Sequence, residues 1–409
     1  MRFSGRSSPS EYWGCRDERA WRVREVRPVV DFTLSAEQEQ FAAALHDMLA
    51  DADVPAAARS WAAGDHGPGL DVWRGLAAAG VTALMVPEEH GGLGASAVDL
   101  VIACEEIGHH AVPGPAAESL AAVPALLSAP AVDISRLRYA QLPGLPQFSR
   151  TGTVKSGGEP ADWPARLAAG DLLATLAAPP AMPYAADADI AGLVLLADPD
   201  GLWLAEPGTS HPSVDATRTL SEITGTLKLG DSLAIATAVA RALDFGALAS
   251  AAQLLGAGRA LLTASVCHAR ERVQFGQPVG SFQAVKHQLA DVLIGLEFAR
   301  PLVFAAAVAL AAHSPSAGRD VSAARVACAD AARRAARTAL QVHGAIGYTA
   351  EHDLVLWLTK VQALAPAWGS QAYHRARVLA SLTPCTPRIS RTDRTSQPAS
   401  TTDDSRACG

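Results

Sequence analysis

Aromatic side chains are scarce in this 409-residue chain, at 5% of residues, although 49% are hydrophobic. The interior is therefore expected to be aliphatic, built from closely packed alanine-rich helices. Cysteine is also sparse: Cys15, Cys104, Cys267, Cys328, Cys385 and Cys408 are scattered. None forms a Cys-x-x-Cys pair and none is spaced with histidine as a zinc site requires, so no metal site is expected. Cys104, Cys267 and Cys328 fall in apolar helical stretches and are expected to be buried packing residues, which fits a reducing cytoplasm. A basic face is missing too. The formal net charge is −7, which argues against a nucleic-acid partner. No uninterrupted apolar run reaches bilayer length, so no membrane span is expected. Internal repeats and heptad runs are lacking as well.

What is present divides the chain. Residues 1–30 are rich in Arg but also carry Glu11, Asp17, Glu18 and Glu25. They lack the apolar core of a secretory signal and read as a disordered extension. A helical domain follows over 31–129. Ser35 and Gln38 make a capping box, followed by an apolar stripe of Phe41, Leu45, Met48 and Leu49. A second helix carries Val72, Trp73 and Leu76 and stops at Gly80; a third starts near Ser96. Over 130–230 prolines multiply and short strand-like runs appear at Leu172–Leu176, Gly192–Leu196 and Leu202–Leu204. Asp198-Pro199-Asp200-Gly201 reads as a hairpin turn between two of them. From 231 to 382 the pattern predicts an up-down bundle of four long helices at about 243–272, 281–312, 318–343 and 351–381. The Ser-, Thr- and Pro-rich tail, 383–409, reads as disordered.

The most informative stretch is 270–291, Arg-Glu-Arg-Val-Gln-Phe-Gly-Gln-Pro-Val-Gly-Ser-Phe-Gln-Ala-Val-Lys-His-Gln-Leu-Ala-Asp. A helix running up to Arg272 breaks at Gly276, Pro278 and Gly280, and another starts near Ser281, whose hydroxyl is expected to cap it. Arg272 offers a guanidinium suited to phosphate, Gln274 and Gln283 offer amides, and Phe275 and Phe282 offer flat apolar faces. That inventory suits a ligand with both a pyrophosphate and an aromatic ring.

This stretch resembles the acyl-CoA dehydrogenase family, whose Arg-x-Gln-Phe-Gly-x-Pro-x-Gly-x-Phe-Gln segment contacts FAD. Asp31-Phe32-Thr33-Leu34-Ser35-Ala36-Glu37-Gln38, Val86–Gly94 and Gln341-Val342-His343-Gly344-Ala345-Ile346-Gly347 are similar to other family segments, in the family's order. Asp215-Ala216-Thr217-Arg218 marks the central domain. The resemblance implies a mainly α fold with a small β domain between an N-terminal helical domain and a C-terminal four-helix bundle. It implies FAD contacts from Arg272, Gln274, Phe275, Gln283, Gln341, Gly344 and Ser370, with Gln341–Gly347 reaching a cofactor across a subunit interface. Ala345 departs from the family, which commonly has a second glycine there. The implied activity is α,β-desaturation of an acyl-CoA, with electrons passed to an electron-transfer flavoprotein.

That reaction needs a carboxylate to take the proton beside the carbonyl. In one branch of the family the base precedes a Gly-Thr or Gly-Ser pair. Here the pair is Gly369-Ser370 and the preceding residue is Trp368, which cannot accept a proton. In another branch the base lies on the first bundle helix, at a place aligned with Gly246. Asp244 and Glu351 are the nearest substitutes, although capping or solvated roles suit both. Glu159-Pro160-Ala161-Asp162 resembles a flavin-edge segment only superficially. His109, His110 and His343 have no metal-like partners in the sequence and are expected to be ordinary polar residues. Two functions follow: an FAD-dependent dehydrogenase, as a homo-oligomer or in a heterotetramer with a second acyl-CoA dehydrogenase subunit, or a base-lacking subunit that completes the FAD site of such a partner. The heteromeric branch often handles bulky steroid side-chain thioesters.

Overall fold

The computed structural model describes residues 33–133 and 162–383. The expected disordered extension, the tail and the Glu159–Ala161 segment lie outside the described residues. Helix α1 (Ala36–Asp51) opens on the predicted capping box, with Gln38 N–H donating to Ser35 Oγ and Ser35 N–H to Gln38 Oε1, both at 3.2 Å. Leu45 and Leu49 turn into the core. An additional helix, α2 (Val54–Ala62), precedes α3 (Gly67–Ala78), which buries Val72, Trp73 and Leu76 and ends before Gly80 in the left-handed region. Helix α4 (Ala97–His109) starts at a second capping box, Ser96 with Asp99. A π turn, Glu118–Ala122, leads into α5 (Val123–Leu127), and α6 (Trp163–Ala168) follows.

All three strand-like runs lie in one five-stranded sheet. Strands β1 (Ala174–Ala177), β2 (Ala185–Ala186), β3 (Leu193–Asp198), β4 (Gly201–Pro212) and β5 (Thr219–Gly230) take the order β1-β3-β4-β5-β2. Only β1 and β3 pair in parallel; β3, β4 and β5 form an antiparallel meander. Asp198 and Gly201 close the expected hairpin, with Gly201 at φ 138.

Beyond the sheet the chain is a bundle. Helix α7 (Leu233–Glu271) begins at Ser232, whose hydroxyl accepts from Ile235 N–H, ten residues earlier than the sequence pattern suggests. A short hairpin of β6 (Val273–Gln274) and β7 (Gln277–Pro278) follows, then α8 (Gln283–Ala311) and α9 (Ala317–His343). Ser281 does not cap α8: its hydroxyl donates back to Pro278 O at 2.7 Å, and the helix starts at Phe282 without a side-chain cap. The expected fourth helix is two, α10 (Leu354–Leu364) and α11 (Gln371–Leu382). Pro366 lacks an N–H, and Trp368 and Gly369 adopt left-handed φ of 59 and 100. The buried Arg325 guanidinium donates to the carbonyls of Ala365 at 3.3 Å and Ala367 at 2.7 Å, satisfying the helix end that the break leaves open.

Helices α7 and α8 have the length and apolar composition of membrane spans, yet both pack against α9 inside the bundle. Helix α4 crosses α7 at two glycines. A Cβ on Gly256 would lie 1.8 Å from Glu105 O and one on Gly108 2.0 Å from Gln253 O, so these backbones touch. Cys104 and Cys328 are buried, and desolvation pushes both thiols up to about 12. Cys267, expected inside, is exposed. It sits on a turn of α7 that leaves the core.

Candidate functional site

The predicted cofactor residues fall into two groups. At the far end of α7, Arg272, Val273, Gln274 and Phe275 stand exposed on the β6–β7 hairpin. Phe275 is 92% exposed and takes a left-handed φ of 53. Its ring meets Phe282 edge to face at 6.1 Å. His268, near the end of α7, stacks on His343, at the end of α9, at 4.3 Å. Gln341 and Gly344 therefore share this end of the bundle with the hairpin. Gly344 has a φ of 68 and open space where a Cβ would stand. Gln283 is exposed at the start of α8. Arg272 has no ion-pair partner among the described residues.

Ser370 lies elsewhere. It caps α11, accepting from Tyr373 N–H at 3.1 Å. With Tyr373, Ser232, Pro180 and Asp198 it lines a cavity of about 670 Å³ between the sheet's connections and the bundle. On α7 that cavity reaches no further than Leu243, and the helix from there to Arg272 rises about 43 Å. No single dinucleotide spans that distance. Within one chain, Arg272 and Ser370 belong to different sites.

Beside the Ser370 cavity the two family base positions meet. A Cβ on Gly246 would lie 2.0 Å from the Trp368 ring, so the indole fills the space that a larger residue at 246 would occupy. Trp368 is 4% exposed. His374 pins its backbone, with Nε2 2.9 Å from Trp368 O and Nδ1 3.1 Å from Ser322 Oγ. Burial pulls the His374 imidazole down to about 4, so it is neutral near pH 7. The internal space left here is about 20 Å³, lined by Glu118, Asp215, Gln253, Lys360 and Trp368 among others. Asp244 faces away from it: both carboxylate oxygens are held by Arg377. Glu351 is exposed in the turn before α10, and its backbone carbonyl accepts from Arg59 at 3.4 Å. The side-chain cap that Glu351 was expected to give the last helix is absent, because α10 begins after Asp353 without one.

Comparison with known proteins decides the family. Residues 35–130 match the acyl-CoA dehydrogenase N-terminal domain and residues 236–383 the acyl-CoA dehydrogenase C-terminal domain. The chain is 32% identical over 316 residues to the acyl-CoA dehydrogenase IpdE2 of Mycobacterium tuberculosis, spanning 76% of this chain and 86% of that protein. The chain belongs to the acyl-CoA dehydrogenase family.

As an acyl-CoA dehydrogenase it is an oxidoreductase acting on acyl-CoA, with the mainly α fold and small sheet domain of its relatives. The ChsE4–ChsE5 complex of Mycobacterium tuberculosis shares the fold at a TM-score of 0.65 and 21% identity, over 87% of this chain and all of that one. A variant of the Tcur3481–Tcur3483 steroid acyl-CoA dehydrogenase does so at 0.64 and 21%, over 85% and 98%. This acyl-CoA dehydrogenase offers an unpaired, exposed Arg272 and an open Gly344 at one end and a roomy cavity at the other.

The sequence reading missed several buried groups that tie the acyl-CoA dehydrogenase domains together. Lys360 of α10 lies 3.3 Å from Asp215 and donates to Val112 O at 3.2 Å, joining all three parts of the molecule. Burial alone would raise the Asp215 carboxyl, but Lys360 and Thr217 more than offset it and hold it below its ordinary value. Glu118 and Arg218 are 4.0 Å apart, and burial pushes the Glu118 carboxyl up. Burial also pushes Asp187 up to about 7, although Thr219 N–H donates to it at 2.8 Å. Asp215 and Arg218 were visible in the sequence as part of a family-like marker; nothing local signalled Lys360 or Asp187. His109 and His110, for which the sequence offers no metal-like partners, are met by His46 of α1.

Proposed function

We propose that this chain is the base-lacking subunit of a heteromeric acyl-CoA dehydrogenase, in which its Arg272 end completes the FAD site of a glutamate-bearing partner. The observation that carries this reading is the contact between Trp368 and Gly246. One buried indole occupies both family base positions and leaves no room for a thioester beside it. Asp244 is neutralised by Arg377, and Glu351 is in solvent.

FAD, when bound, supplies the hydride acceptor for α,β-desaturation and passes its electrons to an electron-transfer flavoprotein. This chain's part is binding and orientation. The Arg272 guanidinium offers charge-assisted hydrogen bonds to a pyrophosphate. Gln274, Gln283 and Gln341 offer amides, Phe275 offers an apolar face, and Gly344 lets a backbone come close. Ile294, Phe298 and Leu302 are 52%, 75% and 41% exposed at helical spacing on α8. They give an apolar face for pairing the bundles antiparallel, which brings the Arg272 end of one chain to the Ser370-like end of the other. A bulky acyl-CoA such as a steroid side-chain thioester is the substrate class, supported by the likeness to a steroid acyl-CoA dehydrogenase, and the reducing cytoplasm is the setting.

Expressed alone, the chain should be slow or inactive with acyl-CoA and an artificial electron acceptor. Co-expressed with a relative that retains the glutamate, it should form a flavin-loaded oligomer by sedimentation. Turnover of that complex should fall about 10²–10⁴-fold when the partner's glutamate is removed. Asp244→Asn and Glu351→Gln in this chain should leave kcat nearly unchanged. A second reading rests on Glu118, a buried carboxyl with a raised pKa facing the small space beside Trp368. If the lone chain turns over rapidly and Glu118→Gln abolishes the rate without loss of FAD, the base is in this chain and the proposal is wrong. A stable, flavin-loaded monomer would also refute it.

A further inference from the structure

Three histidines meet where α1 passes the end of α4. His46 comes from α1, while His109 and His110 are the last residue and the C-cap of α4. Their ring centroids lie 4.7, 5.1 and 5.2 Å apart, none of them face to face. One nitrogen from each falls within 4.8 Å of the others. Glu106, one turn back on α4, places Oε2 2.8 Å from His46 Nδ1 and 3.8 Å from His110 Nε2. Helix geometry explains the grouping, since Glu106 and His110 are four residues apart and share a face.

Hydrogen bonding alone satisfies this group poorly. His46 Nδ1 is 2.8 Å from the carboxylate and 3.2 Å from His110 Nε2. If Nδ1 carries the proton it serves Glu106 and has no lone pair for His110. If it does not, it turns that lone pair on the carboxylate. His109 Nδ1 is buried with no hydrogen-bond partner within 3.5 Å among the described residues. A cation placed among these atoms could take one nitrogen lone pair from each ring. Three imidazoles on one tetrahedral zinc, at the usual Zn–N length, have centroids about 5 Å apart and nitrogens about 3.3 Å apart.

We propose that His46, His109, His110 and Glu106 form a binding site for a first-row divalent transition-metal ion, with zinc its best-suited occupant. The ligand set of imidazoles and one carboxylate matches zinc rather than calcium or magnesium, which prefer all-oxygen sites. Arg259, whose charge reaches His109, is ion-paired with Glu105. Glu105 is also met by Arg300 at 3.6 Å, leaving Glu106 as the carboxylate for the metal. A bound ion would cross-link α1 to α4, since a metal that binds only the folded state stabilises it.

The test uses tag-free full-length protein in its native assembly, titrated with zinc chloride by calorimetry and with cobalt chloride by visible absorption. One zinc per copy of this chain is expected, with ligand-field bands from cobalt and a melting temperature that rises with zinc. His46→Gln and His110→Gln should each weaken zinc binding by more than the roughly 10–100-fold that losing an outer partner costs. His46→Cys should restore binding through a thiolate and change the cobalt spectrum. FAD content should not change in any variant. Equal zinc stoichiometry and affinity in the wild type and both glutamine variants would overturn the proposal, as would no zinc bound to the wild type.

Discussion

Two stretches of α7 solve opposite problems with similar residues. Around Gly246 the chain is closed on itself: Trp368 fills the void, His374 and Arg325 hold the broken helix, and Arg377 is paired with Asp244. At Arg272 the same kinds of groups, a guanidinium and an aromatic ring, stand in solvent; Arg272 has no ion-pair partner among the described residues, and the Phe275 ring meets only the edge of Phe282 there. Phe275 is 92% exposed and Trp368 is 4% exposed. An exposed large apolar group beside an unpaired charge signals a missing partner, whereas a buried one signals packing. A site finished inside the chain and a site awaiting another molecule are thus told apart by burial.

The closed end should be the most sensitive to substitution. Trp368→Ala should destabilise the protein by about 3–5 kcal/mol, because the indole leaves a cavity that Gly246 cannot fill. Denaturant unfolding checks this, and a loss below 1 kcal/mol would show that the ring is loosely held. At the open end, Arg272→Ala should weaken FAD by about 1.5–3 kcal/mol, tenfold or more, in the assembled protein. The same change should leave apo-protein stability within about 0.5 kcal/mol of wild type. Flavin titration together with thermal unfolding separates the two effects; undiminished FAD content would put the phosphate contact elsewhere.

A finer probe of the closed end is Gly246→Ala. The new methyl would sit 2.0 Å from the indole, and overpacking of this kind costs about 1–3 kcal/mol. The pairing of this substitution with Trp368→Ala should be non-additive, since removing the ring frees the space. A separate probe concerns pH. Asp187 titrates at about 7 in the fold against an ordinary 3.8, so the folded protein binds more protons than the unfolded one between those values. Stability should therefore fall as pH rises through that window and level off above it. Asp187→Asn should flatten the slope, measured by melting temperature from pH 4 to 8; an unchanged slope would assign it to other groups.

Much of this was legible locally. The capping box at Ser35, the hairpin turn at Asp198–Gly201 and the break after Arg272 each rest on residues a few positions apart, where backbone chemistry decides the outcome. The family segment at 272–283 was legible for the same reason. The broken fourth helix was misread because Pro366 and Gly369 are ordinary near a helix end. What turns them into a full break is Arg325, some forty residues away. Cys267 was misplaced because apolar periodicity cannot say which face of a long helix lies against neighbours. His46 was overlooked for a like reason, being 63 residues from His109.

By itself the sequence determined the helices, the small sheet, the absence of a carboxylate at positions 246 and 368, and the residues offered to a dinucleotide. Each of these depends on side-chain type or short-range backbone preference, which the chain carries wherever it folds. The tertiary structure alone decided that Trp368 closes onto Gly246 and that Asp244 belongs to Arg377. It also parted Arg272 from Ser370 along α7 and gathered His46 with His109 and His110. Those are distances between segments remote in sequence, and only the packing of one helix against another fixes them.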